Sequence, residues 1–389
     1  MIYLELETMS PLHLSANHAI GPLNQTLDYI PGRALRGALA GVYQQKHGLD
    51  AHFNELFLKE GNWFGPLLPT GHTLVSTRES FVLPTTAYAC KQEKNFKVQG
   101  GHGVRDMLFE FLKQSASTAD RCQAAQCEAS LVPFSGFYSE QAMQSQAVQV
   151  SQRLVTRTAL DSRTETAAHG QLFTLSVIEE NQCFAGFLVL GDVAQEQAFA
   201  AEFLVEGGEL WIGADKTRGQ GHSLITRVEV GDDVASELLL ATRPDMVTRL
   251  RSFDQAARQA GVQCQEQTLF TLTLLSDAIV RDPYLRFQAQ ISPAYLAEFL
   301  HPVFAQANPL GAFSQTRTLD GWNAAHRLPQ PTEVVIAAGS VFAFGSDTPL
   351  VDLANHLATL ERTGIGERRI EGFGRVLVAH PFHLKEAQI

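Results

Sequence analysis

Gly213-Ala214-Asp215-Lys216-Thr217-Arg218-Gly219-Gln220-Gly221 and Gly366-Glu367-Arg368-Arg369-Ile370-Glu371-Gly372-Phe373-Gly374 follow one plan: glycine, five residues, glycine, one residue, glycine. A single Gly-x-Gly says little, because glycines gather wherever a chain turns tightly. Two such loops, each late in a comparable segment, indicate duplicated domains. Strand-like Glu209-Leu210-Trp211-Ile212 precedes the first loop and Leu224, Thr226 and Val228 follow it, while Val376-Leu377-Val378 follows the second. Each loop therefore sits beside β-structure.

The chain opens on a strand: Ile2, Leu4 and Leu6 alternate with Tyr3, Glu5 and Glu7, a period-two pattern with one face on a core. Ile30-Pro31-Gly32-Arg33-Ala34-Leu35-Arg36-Gly37-Ala38-Leu39 then predicts a helix, with Pro31 at its start and Leu35, Leu39 and Val42 on one face. The second half repeats this order. Leu269, Thr271 and Thr273 alternate with Phe270, Leu272 and Leu274, and Leu353, Leu357 and Leu360 mark an amphipathic helix ahead of the closing loop. Between the halves, Arg243-Pro244-Asp245 starts a helix carrying Val247, Leu250 and Phe253 that ends near Gly261. These elements predict an α+β protein of tandem ferredoxin-like domains, most simply one βαββαβ unit in each half. The first domain spans 1–235, a linker helix 236–264 and the second domain 265–389. The stretch 84–150, with a helical candidate over Val104 to Leu112 and a Gln/Ala/Ser-rich portion, reads as an insertion in the first domain.

With 389 residues, 45% of them apolar and 18% charged, the chain can bury more than one core and is too apolar for disorder. Its net charge of -11 excludes a uniformly basic binder of nucleic acid or anionic membrane. Yet segments 30–40, 153–163, 213–228 and 362–375 each sum to +2, so positive charge collects where glycine and proline shape the chain. A local polyanion site fits this distribution; pairing of these arginines with surface carboxylates is the alternative. The N-terminus lacks a signal-peptide pattern, and no stretch approaches ~18 uninterrupted apolar residues, so no membrane association is expected. Five cysteines, an odd number, argue against a disulfide framework and for a reducing cytoplasm.

Glycines let backbone N–H groups converge on a phosphate, and nearby arginine completes an anion-binding concavity. The other reading of each loop is a plain turn with solvated charges. Neither loop has the Gly-x-x-x-x-Gly-Lys-Ser/Thr order or opens a βαβ unit, so Walker and Rossmann sites are not supported. In the insertion, Cys122 and Cys127 have zinc-like spacing, and Cys90 with His102 completes a Cys3His set for a structural Zn; free thiols in a loose segment are the alternative. His13 and His18, just after the first strand, and Asp28, just before the helix, are weak catalytic candidates whose bland reading is structural. No Gly-x-Ser-x-Gly, His-Glu-x-x-His or Gly-Gly-Asp-Asp motif is present.

The Ile30 to Leu39 stretch resembles the Ile-Pro-Gly helix start of the CRISPR-associated RAMP superfamily, and Gly366 to Gly374 resembles its C-terminal glycine-rich loop. Within that superfamily the sequence most resembles the Csx-ten proteins of type III-D systems, in the Cas-five group. Gly366 to Val376, Gly321-Trp322-Asn323 with Ala338 to Val341, and Ala168 to Phe173 with Phe184 to Gly186 carry that likeness. The resemblance implies a non-catalytic subunit of an RNA-guided complex that holds the repeat-derived 5′ handle of a CRISPR RNA. It implies contact with the large Cas-ten subunit and Cas-seven-like backbone subunits, and with target RNA only indirectly. Arg33, Arg36, Lys216, Arg218, Gly219, Gly221, Arg368, Arg369, Gly372, Gly374 and Arg375 are the RNA-binding positions it points to. Arg33-Ala34 departs from the common Ser-Ser and removes two hydroxyl donors. The alternatives are a Cas-six-like endoribonuclease using His13 or His18, a backbone subunit cleaving target RNA through Asp28, and a scaffold whose loops dock protein.

Overall fold

Alternating Ile2, Leu4 and Leu6 place strand β1 (Ile2–Thr8) at the centre of the first sheet, where all three side chains are fully buried. A computed structural model describes the chain except residues 16–22, 71–79, 97–101, 114–120, 123, 125, 126, 142, 143, 161–166, 232–243, 264–266, 324–327 and 385–389. His18 and Cys264 lie outside the described residues.

After β1 come helix α1 (Gly32–His47), β2 (Trp63–Phe64), β3 (Cys183–Val189), helix α2 (Val193–Phe203), β4 (Glu209–Trp211) and β5 (His222–Val230). They form an antiparallel sheet in the order β4-β5-β1-β3-β2, with Leu4 opposite Gly186 on one side and Val228 on the other. Pro31, extended at φ -68°, leads into α1, which buries Leu35, Leu39 and Tyr43 at i, i+4, i+8 against the sheet. Val42 is only partly buried, because Tyr43 holds the core-facing position. The reverse face of β1 is covered as well: Tyr3 packs with Ala185, Phe187 and Trp63. The reverse face is therefore buried at Tyr3 and half-buried at Glu5 and Glu7.

In the second half, helix α3 (Met246–Gln259) is followed by β6 (Thr268–Leu274), helix α4 (Pro293–Phe299), β7 (Asn308–Phe313), β8 (Val341–Ser346), helix α5 (Leu350–Thr363) and β9 (Val376–Val378). The antiparallel sheet runs β7-β8-β6-β9, with Phe270 opposite Phe344. Leu353, Leu357 and Leu360 of α5 are fully buried on it. Asp245 caps α3 by accepting from the Thr248 N–H at 3.1 Å, and Leu250, Phe253 and Ala257 enter this second core.

After Leu68–Pro69 the chain leaves the first sheet and returns at β3. A three-stranded sheet in the order Val104–Asp106, Ala87–Cys90, Leu131–Pro133 forms a small lobe there, followed by a hairpin of Gln152–Leu160 with Ala167–Ile178. The expected helix over Val104 to Leu112 is thus corrected. Val104 to Asp106 pairs as a strand with Ala87 to Ala89, and only Leu108–Leu112 is helical, the Asp106 carboxylate accepting from the Leu108 N–H at 3.2 Å. Strand pairing overrides the local propensity. Among the described residues no helix is long and apolar enough to cross a membrane.

Candidate functional site

The two glycine loops share one backbone conformation. Gly213 and Gly366 have φ of 85° and 82°, Asp215 and Arg368 58° and 53°, Gly219 and Gly372 78° and 91°, and Gly221 and Gly374 86° and 73°. Each contains a single 3-10 turn, Lys216–Arg218 or Arg369–Glu371. Their anchors also correspond. Ala214 N–H donates to His13 O at 3.1 Å and Glu367 N–H to Ile279 O at 2.9 Å; Gly221 N–H donates to Pro11 O at 2.9 Å and Gly374 N–H to Asp277 O at 2.7 Å. The Ile212 and Ile365 N–H groups donate to Gly221 O and Gly374 O, both at 2.8 Å. A β-carbon at Gly221 or Gly374 would overlap the Ile212 or Ile365 carbonyl. The glycine spacing is accordingly set by loop closure onto the segment after the first strand of each half. The N–H groups of Ala214, Gly221, Glu367 and Gly374 are thus committed to the fold and are not available to a phosphate.

The second loop packs against the start of α1, where Gly32 meets Gly372 and the Phe64 carbonyl. Its arginines are largely engaged by protein. Arg368 pairs with Glu333 and, at 2.6 Å, with Glu371. Arg281 joins Glu333 at 2.9 Å and Glu367 at 3.6 Å, while Arg36 lies 3.7 Å from Glu371. Burial disfavours the Arg368 cation, but the hydrogen bonds and charges of Glu371 and Glu333 outweigh it and push the pKa up. Arg33 donates to Asp320 O at 2.8 Å, Arg369 to Thr363 O at 3.2 Å, and the Arg375 guanidinium lies 4.9 Å from the Trp63 ring centroid. Sequence reading missed the acidic partner Glu333, which lies 35 residues before Arg368 and carries no local signal.

The first loop is more open. Lys216 and Arg218 are exposed, and Asp215 receives Arg157 at 2.8 Å and Arg218 at 3.3 Å. Arg157 comes from the hairpin, so this cluster draws cations from two segments that had separately shown positive charge.

A cleft of about 440 Å³ lies between the halves, beside the second loop, and takes in Asp28, Tyr29, Arg33, Asp277, Arg317 and Gly372. Arg317 donates to Asp277 at 2.9 Å and to the Tyr29 hydroxyl at 2.7 Å. Burial and the Asp277 charge push the Tyr29 phenol up to about 12 against the opposing pull of Arg317. Asp28 reaches solvent at the rim, yet surrounding protein raises its carboxyl pKa, and Gln152 donates to it. His13 is 3% exposed with Nδ1 at 2.9 Å from Ser176 O, a packed position equivalent by loop anchoring to Ile279.

Cys90, His102, Cys122 and Cys127, 37 residues from first to last, meet at one end of the lobe's sheet, their four ligand atoms all within 4.8 Å of one another. A tetrahedron with metal–sulfur bonds of ~2.3 Å has sulfur–sulfur edges of about 3.8 Å, and Cys90 Sγ lies 3.8 Å from Cys127 Sγ. Cys122 Sγ is 3.4 Å from His102 Nδ1. Burial alone would raise the Cys90 thiol, but N–H groups of Glu93 and Gln92 and bonds from His102 and Cys122 bring it down, while burial and the neighbouring Cys90 push the Cys122 thiol up. The cluster could hold a metal ion, and its donor set fits zinc.

A comparison with curated proteins found no match. Among solved structures, a chain of the type III-B Cmr-beta complex bound to cognate target RNA and AMPPnP is 10% identical, with 88% of this chain and 86% of that chain covered and a TM-score of 0.39. Oligomeric Cmr4 from Pyrococcus furiosus is 14% identical over 59% of this chain and 98% of that one, at a TM-score of 0.28. A Cas6 product complex is 13% identical over 51% and 80%, at 0.30. The RAMP superfamily model matches residues 5–222, which run from β1 through the first glycine loop to the start of β5 and make up more than half of the chain. The chain belongs to the RAMP superfamily.

Proposed function

We propose that this protein is a non-catalytic guide-RNA-binding subunit of a type III CRISPR effector, of the Csx-ten type in the Cas-five group. It holds the repeat-derived 5′ handle of the CRISPR RNA, contacts a Cas-ten large subunit and Cas-seven-like backbone subunits, and meets target RNA only through the guide. The observation that carries this reading is the pair of conformationally matched glycine loops, with exposed Lys216 and Arg218 on the first, in a RAMP-superfamily chain. Sheet orders β5-β1-β3-β2 and β9-β6-β8-β7 support reading each half as a ferredoxin-like βαββαβ unit, with the lobe and hairpin inserted in the first. Burial of His13 against the Ser176 carbonyl speaks against its use as a general acid or base. The ion that suits the Cys3His cluster is a structural Zn2+.

The test is to co-express the chain with the proteins encoded beside it, purify the assembly through a tag on this chain, crosslink, and sequence the attached RNA. Uniform small RNAs crosslinked near their repeat-derived 5′ ends are expected. An intact assembly with no RNA crosslinked to this chain would replace this reading with a protein-docking scaffold. RNA cleavage lost on substituting Asp28 or His13 would replace it with a nuclease.

A further inference from the structure

The lobe has two functional ends. At one end of its sheet stand the four metal-ligating residues: Cys90 closes the central strand and His102 lies two residues before the Val104–Asp106 strand. The other end enters the second half of the molecule. Asp106 Oδ2 lies 2.6 Å from His383 Nδ1, a pair in which the His383 side chain is fully buried, and Thr273 of β6 meets the other imidazole nitrogen at 3.2 Å. Leu108, fully buried, belongs to the same core as Leu250 and Phe253, and the Phe109 ring lies 5.6 Å from that of Phe253. The lobe also walls the cleft beside the second glycine loop through Leu83, Thr85, Pro133 and Phe134.

Apolar packing is uneven along the lobe: Ala87, Ala89 and Val104 join a core with Leu83, Phe96, Tyr138 and Phe382, whereas the metal-ligand end has little of its own. The core around the ligands consists of buried Cys90, Cys122 and Ala124 with partly buried Cys127, Ala129 and Leu131, too small to hold that end of the sheet and the approach to His102 by itself. Free energy of metal binding becomes folding free energy in such a unit. Because His102 and Asp106 lie on one short run of chain, fixing His102 fixes the register that delivers Asp106 and Leu108 to the second core.

We propose that Zn2+ bound by Cys90, His102, Cys122 and Cys127 clamps the two halves of the molecule together, through the Val104–Asp106 strand, and so holds the wall of the cleft beside the second glycine loop. The inference rests on the structural-zinc reading above and is independent of which RNA is bound. Zinc loss therefore loosens contacts far from the ligands, at His383 and the adjoining β9.

The experiment measures zinc in the purified full-length protein, then follows hydrogen exchange by mass spectrometry before and after chelation. Bound zinc, with exchange after its removal rising about tenfold or more at 376–384 as well as at 104–112 while β1 stays protected, is the expected result. Asp106→Asn should retain zinc yet loosen 376–384, which separates the strut from the metal without disturbing a ligand. Bound zinc whose removal loosens only the lobe overturns the clamp and leaves the zinc site standing. Protein that takes up less than about 0.1 zinc per chain from zinc-supplemented cells overturns the site and the clamp together.

Discussion

Gly32, at the first position of α1, and Gly372, in the second glycine loop, touch backbone to backbone across the two halves: a β-carbon on Gly32 would lie 3.0 Å from Gly372 Cα, and one on Gly372 would lie 3.2 Å from Gly32 Cα. Two glycines identified in separate motifs thus meet directly, and their approach presses the start of α1 onto the loop. Gly32→Ala would overlap the Phe64 carbonyl and is expected to lower stability by about 1–3 kcal/mol. Gly37, on the same helix with no atom within 4 Å of its added β-carbon, is the control: Gly37→Ala should be neutral or stabilising by about 0.5–1 kcal/mol. Urea midpoints of the two variants check the pair, and equal destabilisation would mean that the backbone approach at Gly32 is not what the glycine serves.

Arg368 adopts φ 53°, a conformation glycine takes more readily, and is kept there by Glu333 and Glu371. Arg368→Ala is expected to cost about 2–4 kcal/mol, because it keeps the strained backbone and leaves Glu333 and Glu371 with fewer partners, the second being the source of the loss. Arg368→Gly removes the strain and should be less harmful by about 1 kcal/mol. Equal losses in chemical denaturation would assign the whole effect to the side chain.

Periodicity made the first strand, α1 and the α5 helix legible, because each depends on residues within one or two turns of chain; the repeated glycine spacing marked both loops, although the segments they close onto are remote in sequence. The arginine roles were not legible. Arg368 and Arg218 look alike in sequence, yet one is tied to Glu333 and the other, exposed, pairs with Asp215 of its own loop; only the fold brings Glu333 to the second loop. The cysteine and histidine spacing disclosed the cluster that could hold a metal ion, whereas the strand at Val104–Asp106 was hidden because its pairing partner, Ala87 to Ala89, lies outside the local window. The two-stranded hairpin that brings Arg157 to Asp215 was visible only as a patch of charge.

Alkaline stability should depend on Tyr29. Its phenol ionises near 10 in the unfolded chain and at about 12 in the folded one, so between those values the folded state binds more protons and stability falls as pH rises. The contribution is complete below pH 10 and is lost progressively up to about 12, at most about 2–3 kcal/mol. Tyr29→Phe should flatten this loss in urea midpoints measured across the interval. A residual slope is expected from Tyr295, whose phenol burial also pushes up to about 12. An unchanged slope in Tyr29→Phe would mean that the phenol is not held neutral in the cleft.

The first loop and the second should separate binding from stability. Lys216 and Arg218 are exposed and make few demands on the fold, so Lys216→Gln with Arg218→Gln should change stability by less than about 0.5 kcal/mol. If these side chains neutralise phosphates of a single-stranded RNA handle, removing each cation should make the log–log dependence of affinity on salt shallower by about 0.7. Arg368→Gln, acting on a cation already matched by two carboxylates, should reduce stability while leaving that slope nearly unchanged. Titrations of labelled repeat RNA at several salt concentrations, on the assembled complex, read both effects. A slope altered by Arg368→Gln and untouched by the Lys216 and Arg218 pair would move the RNA-binding role from the first loop to the second.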